Sequence, residues 1–230
     1  MSLRKEADGW WASIKEELPA KQLLPAVPGS VCGIDVGLDN IAAISEIRVI
    51  NEPEEKTFAK QGEVLGQSMA QRISNPRGKV YAERIAGRQA AKKPVGRLQQ
   101  AAAKQVKHLI HNEIIKPLAT VELIKVEDLT SKIGQMGSAK TSAMRLIVSM
   151  LLERYGARDE NGQPCFGNRM RAVEPHYTSQ DCSQCGFRSK ESWSYEHGRF
   201  GKCPSCGFNA DRDVNAARNV AAKPSISLAS

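Results

Sequence analysis

Four of the six cysteines form two Cys-x-x-Cys pairs, Cys182/Cys185 and Cys203/Cys206. Two intervening residues let both thiolates of a pair face one ion from a single turn. Two such turns supply the four soft ligands of a closed tetrahedral zinc site. Gly186 and Gly207 directly follow the pairs, where the chain must bend around the metal. The gap between the pairs matches a zinc ribbon. Two disulfides are the competing reading, and they require an oxidising compartment for which the sequence offers no other sign.

Carboxylates are the second chemical set. Asp211-Arg212-Asp213 stands just beyond the second cysteine pair, at the head of an Ala/Asn/Val helix. Asp35 lies within an apolar, β-rich run over residues 31–37. A charge there is costly unless it is paired or binds a metal, the plain alternative being a satisfied strand-end Asp. Gly33 and Gly37 flank it and are expected to give a bulky ligand room to approach the backbone. Glu127-Asp128 closes a strand over residues 121–126. Asp128 suits a turn, which leaves Glu127 as the functional candidate, placed where sheet enzymes gather chemistry. A mixed sheet that brought these three acidic sites to one rim would present hard oxygen ligands suited to Mg²⁺ or Mn²⁺. Two such ions suit phosphodiester hydrolysis.

The elements that must position these groups read as follows. Residues 10–14 suggest a strand in a closing hairpin, and Pro19, Pro25, Pro28 and Gly29 mark a linker. Strands follow over residues 31–37 and 41–44, and a third is expected near residues 56–60. Cys32 reads as a buried thiol. Pro94 is expected to break a helix, and a second one runs over residues 95–116 with Leu98, Ala102, Val106, Leu109, Ile110 and Ile114 on one face. His108 and His111 on that helix have a spacing that does not suit a shared metal. Residues 130–140, with Gly134 and Gly137, form a loop able to act as a lid. Met144, Ile147, Val148, Leu151, Leu152 and Tyr155 define the core face of the next helix. Residues 156–169 read as a polar loop containing Cys165, and residues 170–173 as a last strand.

The charge balance is asymmetric. Residues 72–107 hold ten basic side chains against the single acid Glu83, which accounts for the net charge of +8. A solvated helix face is the plain reading of such a run. With so few acids to pair, Arg72, Arg77, Lys79, Arg84, Arg88, Lys92, Lys93 and Arg97 are expected to face nucleic-acid phosphates. The 41% hydrophobic content allows a real core, and no apolar run reaches the ~18 residues of a membrane span. The charged start argues against a signal peptide, so a reduced cytoplasmic, nucleoid-associated setting is expected.

Four segments, Gly-Ile-Asp35-Val-Gly, Val-Glu127-Asp-Leu, Tyr177-Thr-Ser-Gln-Asp-Cys-Ser-Gln-Cys-Gly and Asp211-Arg-Asp-Val-Asn-Ala-Ala, resemble the signatures of transposon-encoded TnpB proteins and type V CRISPR nucleases. The resemblance covers roughly residues 30–222. It implies an α/β fold, an RNase H-like (RuvC) mixed sheet with flanking helices and an inserted zinc ribbon. It implies that residues 1–29 are the tail of an N-terminal β-barrel plus linker. Residues 30–174 are then the nuclease core, 175–210 the ribbon, and 211–230 the last nuclease motif and tail. Asp35, Glu127 and Asp213 are the implied catalytic acids and ligands of Mg²⁺ or Mn²⁺. Asp211 is an implied helix cap or auxiliary group, Arg212 and Asn215 orient the site, and Zn²⁺ is structural. Implied partners are DNA, a guide RNA, and a separate N-terminal domain or full-length relative, with no membrane. The implied activity is an RNA-guided, metal-dependent DNA endonuclease. A non-catalytic nucleic-acid-binding module or regulator is the alternative.

Overall fold

The computed structural model describes residues 2–6, 9–13, 23–37, 40–50, 57, 62–74, 104–128, 138–193 and 198–226. Strands β1 (Ser2–Glu6) and β2 (Gly9–Ser13) pair as an antiparallel hairpin. The strand expected at residues 10–14 is thus present, with a partner ahead of it.

A seven-stranded mixed sheet organises the rest. Its members are β3 (Val27–Asp35), β4 (Asn40–Ile44), β5 (Arg48–Val49), β6 (Glu63–Val64), β7 (Gln71–Ser74), β8 (Val121–Glu127) and β11 (Met170–Val173). The order is β11-β8-β3-β4-β7, with β5 and β6 joined through β3. β7, β4 and β3 run antiparallel in turn, whereas β3, β8 and β11 are parallel. Among the described residues, two helical segments lie between β3 and β11 along the chain. Helix α1 covers residues 104–110 and ends in a π turn, His111–Ile115. Helix α2 is Ser138–Tyr155 and α3 is Arg212–Ala222. No helix among the described residues is long and apolar enough to cross a membrane.

Side chains alternate across a strand, so each strand serves two faces. Cys32 and Ile34 of β3, Ile124 and Val126 of β8, and Ile73 of β7 join one core with Val106, Ile110 and Ile114 of α1 and Met144, Ile147, Leu151 and Tyr155 of α2. This matches the apolar faces expected of both helices. The π turn lets neighbouring Ile114 and Ile115 both be buried. The buried Tyr155 hydroxyl donates to Ile115 O at 2.5 Å, which satisfies both groups.

The opposite face receives α3. Val31 packs there with Ala221, Leu123 and Ala222. Gly33 meets the helix directly: a Cβ at this position would lie 2.1 Å from Ala217 O and 2.4 Å from Ala221 N. Its missing side chain therefore admits a helix backbone, not the ligand expected from the sequence. Lys125 Nζ donates to Ala221 O at 2.8 Å and Lys223 O at 2.6 Å, covering carbonyls that the helix end leaves open. Burial pulls its pKa down to about 8.

Several short strands depart from the sequence reading. Arg72 lies on β7, not in a helix. Residues 156–169 include the small hairpin β9 (Ala157–Arg158) and β10 (Pro164–Cys165). The Asp159 carboxylate there accepts from the backbone N–H of Asn161 and Gln163. The strand expected near residues 56–60, apart from buried Thr57, the helix expected before residue 104, and the loop over 130–137 fall outside the described residues.

Candidate active site and metal centre

The sulfur centre is built from two copies of one backbone turn. In the first, Gly186 N donates to Cys182 O and Cys182 N to Phe187 O, at 2.8 and 3.0 Å. In the second, Gly207 N donates to Cys203 O and Cys203 N to Phe208 O, at 2.9 and 2.8 Å. Gly186 and Gly207 have φ of +75° and +74°, which only glycine adopts without a steric penalty. Strands β12 (Phe200–Lys202) and β13 (Asn209–Asp211) pair antiparallel around the second turn.

The four sulfurs all lie within 4.8 Å of one another. Cys182 Sγ is 3.8 Å from Cys206 Sγ, and Cys185 Sγ is 3.6 Å from Cys203 Sγ. A tetrahedron with Zn–S bonds of about 2.3 Å has S–S edges of about 3.8 Å. A disulfide needs about 2.05 Å. The spacing fits a four-thiolate metal site and not two disulfides. Burial pushes the Cys182 thiol up to about 12. At Cys203 burial is outweighed by N–H groups of Cys206 and Ser205 and by neighbouring thiols, which bring it down to about 7.

The carboxylates are assembled by strand register. β3 and β8 pair as Gly33↔Lys125 and Ile34↔Val126, so Asp35 and Glu127 follow side by side at the C-terminal strand ends. Asp35 shares the alternation of Val31 and Gly33, and Glu127 that of Leu123 and Lys125. Both therefore belong to the face covered by α3. Two residues of strand advance about 6.6 Å and four residues of helix about 6 Å. The step from Gly33 to Asp35 thus parallels the step from Ala217 back to Asp213. Glu127 is buried, at 8% exposure, and accepts a hydrogen bond from the Thr178 hydroxyl.

Asp211 is the N-cap of α3, accepting from Asp213 N at 3.0 Å and Val214 N at 3.3 Å. It also pairs with Arg199 at 2.6 Å. Arg72 reaches the same helix start from β7: Nε is 3.7 Å from Asp211 Oδ2 and Nη1 is 3.8 Å from Asp213 Oδ2. The alternation of β7 turns Arg72 toward α3. Arg77, Lys79, Arg84, Arg88, Lys92, Lys93 and Arg97 lie outside the described residues. Among the described residues, the cysteines are the one group of three or more metal-ligating side chains with all donor atoms within 4.8 Å. Asp35, Glu127 and Asp213 share a face without closing to that distance as a trio.

Asn215 links α3 to the cysteine segment. Its amide spans to the cysteine segment, accepting from Ser183 N at 2.9 Å and donating to Asp181 O at 2.8 Å. Arg212 is the first residue of α3, and its backbone N–H donates to Arg199 O at 3.2 Å. Sequence reasoning missed Asn219, one turn further on, whose Nδ2 donates to Thr178 O at 2.7 Å and Asp181 O at 2.6 Å. The signal was available: two amides at i and i+4 interrupt the small apolar stripe of this helix. It also missed Glu46, buried beyond the middle of α3. Burial alone would raise its pKa, but Arg218 at 2.9 Å and Arg48 at 3.2 Å outweigh it and hold the carboxyl below its usual value.

Residues 164–220 match the family described as Cas12f1-like, TNB domain. The protein named "Putative RNA-guided DNA endonuclease InsQ" from Escherichia coli (strain K12) is 27% identical over 93% of this chain, which spans 53% of that relative. The CRISPR-associated endodeoxyribonuclease Cas12f1 of Sulfoacidibacillus thermotolerans is 42% identical over 24% of this chain and 13% of its own length. Among solved structures, a CRISPR-Cas12f ternary complex chain aligns with 97% of this chain and 46% of its own, at TM-score 0.54 and 18% identity. A Cas12f1-sgRNA-target DNA complex chain aligns with 95% and 55%, at TM-score 0.51 and 20% identity. The chain therefore spans about half the length of the longest of these matches, and the structural likeness is one of fold. The likenesses run along nearly all of the chain's residues, and they are to TnpB and type V effector proteins.

Proposed function

We propose that this chain is the nuclease part of an RNA-guided DNA endonuclease, with an RNase H-like core, a zinc ribbon at residues 175–210 and Asp35, Glu127 and Asp213 as the catalytic acids. The observation that carries this reading is the parallel register of β3 and β8, which sets Asp35 beside Glu127 on the face covered by α3. The antiparallel order β7-β4-β3, continued by parallel β8 and β11, supports the RNase H-like core. Hard divalent cations held by these oxygens would supply charge neutralisation and activate a water for phosphodiester hydrolysis. The protein's own part is to keep the carboxylates ionised and aimed at one rim of the sheet. Arg72 stands beside Asp213, its Nη1 3.8 Å from Oδ2. Zn²⁺ is the proposed occupant of the four-cysteine site. DNA and a guide RNA are the proposed partners, by likeness to relatives named for those activities.

The test is cleavage of single-stranded DNA by the purified chain with Mg²⁺ or Mn²⁺, with and without co-purified RNA. Wild type is expected to cut. Asp35→Ala and Glu127→Ala should each lose at least about 100-fold in rate while nucleic-acid binding persists. Cutting by either variant at the wild-type rate would remove the site. A second reading, a non-catalytic nucleic-acid-binding module, is favoured by the pairing of Asp213 with Arg72 and by the spread of the three carboxylates. It predicts binding without cleavage in the wild type as well.

A further inference from the structure

Thr178 sits four residues before the first metal-site cysteine and is 3% exposed. Its hydroxyl lies against two acceptors, Glu127 Oε1 and Pro175 O, the latter at 3.1 Å. One hydroxyl proton serves one acceptor well, and an ionised carboxylate outcompetes a carbonyl. Thr178 therefore donates to Glu127.

The segment carrying Thr178 is held from several directions. Tyr177 adopts φ of +65°, uncommon for a residue with a side chain, and its carbonyl accepts from Gln180 N at 2.9 Å and Asp181 N at 3.0 Å. Asn219 holds the carbonyls of Thr178 and Asp181, and Asn215 holds Asp181 O and Ser183 N. Lys223 Nζ donates to Glu174 O at 2.9 Å and to His176 O. The next residue after Asp181 is the metal-site Cys182. The hydroxyl thus stands on a turn fixed at one end by α3 and at the other by the cysteine knuckle.

We propose that Thr178 is a positioning residue: it locks the orientation of the Glu127 carboxylate and so couples the cysteine knuckle to the acidic face. Resting on the proposed role of Glu127 as a ligand of a hard cation, this assigns the knuckle a task beyond its own fold. With one oxygen committed to Thr178, the plane of the carboxylate is set before any cation arrives. A partner of this kind beyond the ligands is typically worth ten- to a hundredfold in metal affinity, roughly.

The experiment titrates Mn²⁺ into the full chain, cysteine site loaded with Co²⁺, and follows free Mn²⁺ by electron paramagnetic resonance. The Co²⁺–thiolate absorption reports the knuckle in the same sample. Thr178→Val removes the hydroxyl at nearly unchanged shape and should weaken Mn²⁺ binding about tenfold with the cobalt spectrum intact. Thr178→Ser keeps the hydroxyl and should stay within about twofold of wild type. Equal binding by wild type and Thr178→Val would overturn the proposal. Equal loss in both variants, or an altered cobalt spectrum in Thr178→Val, would reduce Thr178 to a packing group and overturn it too. Glu127→Gln is the separate control. If it binds Mn²⁺ as wild type does, the ligand role of Glu127 has failed, and the positioning role falls with it. If Glu127→Gln loses binding while Thr178→Val does not, only the positioning role has failed.

Discussion

The sulfur centre and the acidic face reach their geometry by different routes. Each cysteine pair is placed by a six-residue turn that supplies its own hydrogen bonds and its own positive-φ glycine. Its four donors are already within 4.8 Å of one another. The acidic face has no local code. Asp35 and Glu127 come side by side because two strands far apart in the chain pair in one register, as Gly33↔Lys125 and Ile34↔Val126 show. A one-residue slip would turn either carboxylate to the opposite face. Local motifs can be complete in isolation, whereas a site assembled across a sheet inherits every uncertainty of the fold.

Metal removal would sharpen this contrast most. A structural zinc site contributes an apparent ~10–16 kcal/mol of binding free energy. Chelation, or Cys203→Ala, should unfold the segment around Cys182–Cys206, read as loss of the Co²⁺–thiolate band and a lower thermal midpoint. It should also weaken Mn²⁺ binding at the acidic face, since Thr178 leaves with the knuckle. Unchanged Mn²⁺ affinity would show two independent centres. Gly33→Ala approaches from the other side. The new methyl would sit 2.1 Å from Ala217 O and would have to displace α3. A loss of about 3 kcal/mol is expected in urea unfolding, with the cobalt spectrum kept when the chain is folded. A wild-type midpoint would mean that α3 does not lie flush on β3. The smallest effect belongs to the seam between the regions. Asp211→Ala removes the N-cap of α3 and should cost about 1 kcal/mol in the same assay, with both metal titrations little changed.

The legibility of the chain follows the same division. The cysteine site was readable because spacing alone determines its geometry. β3, β4, β8 and β11 were readable from apolar, β-branched runs, and the core faces of α1 and α2 from their 3.6-residue period. The short strands β5 and β6 were not, since two-residue pairings leave no periodicity. β7 was hidden by its charge: Arg72 reads as part of a basic run until the sheet turns it toward Asp211 and Asp213. Gly33 was noticed for the right absence and the wrong visitor. Only packing tells whether space above a glycine admits a ligand or a helix. Thr178 reads in the sequence only as a neighbour of the cysteines, because no one-dimensional pattern reports a hydrogen bond spanning 51 residues.

The two buried amides of α3 give this helix a single permitted seat. Asn215 and Asn219 grip three carbonyl or amide groups of the segment over residues 178–183. Turning the helix by one residue, about 100°, would swing both amides away and strand those partners without water, at roughly 1–3 kcal/mol apiece. An all-alanine version of the same stripe could settle at neighbouring rotations with little to choose between them. The asparagines act as a key in a slot, and Asp213, two residues ahead of Asn215 on the same rod, is indexed by them.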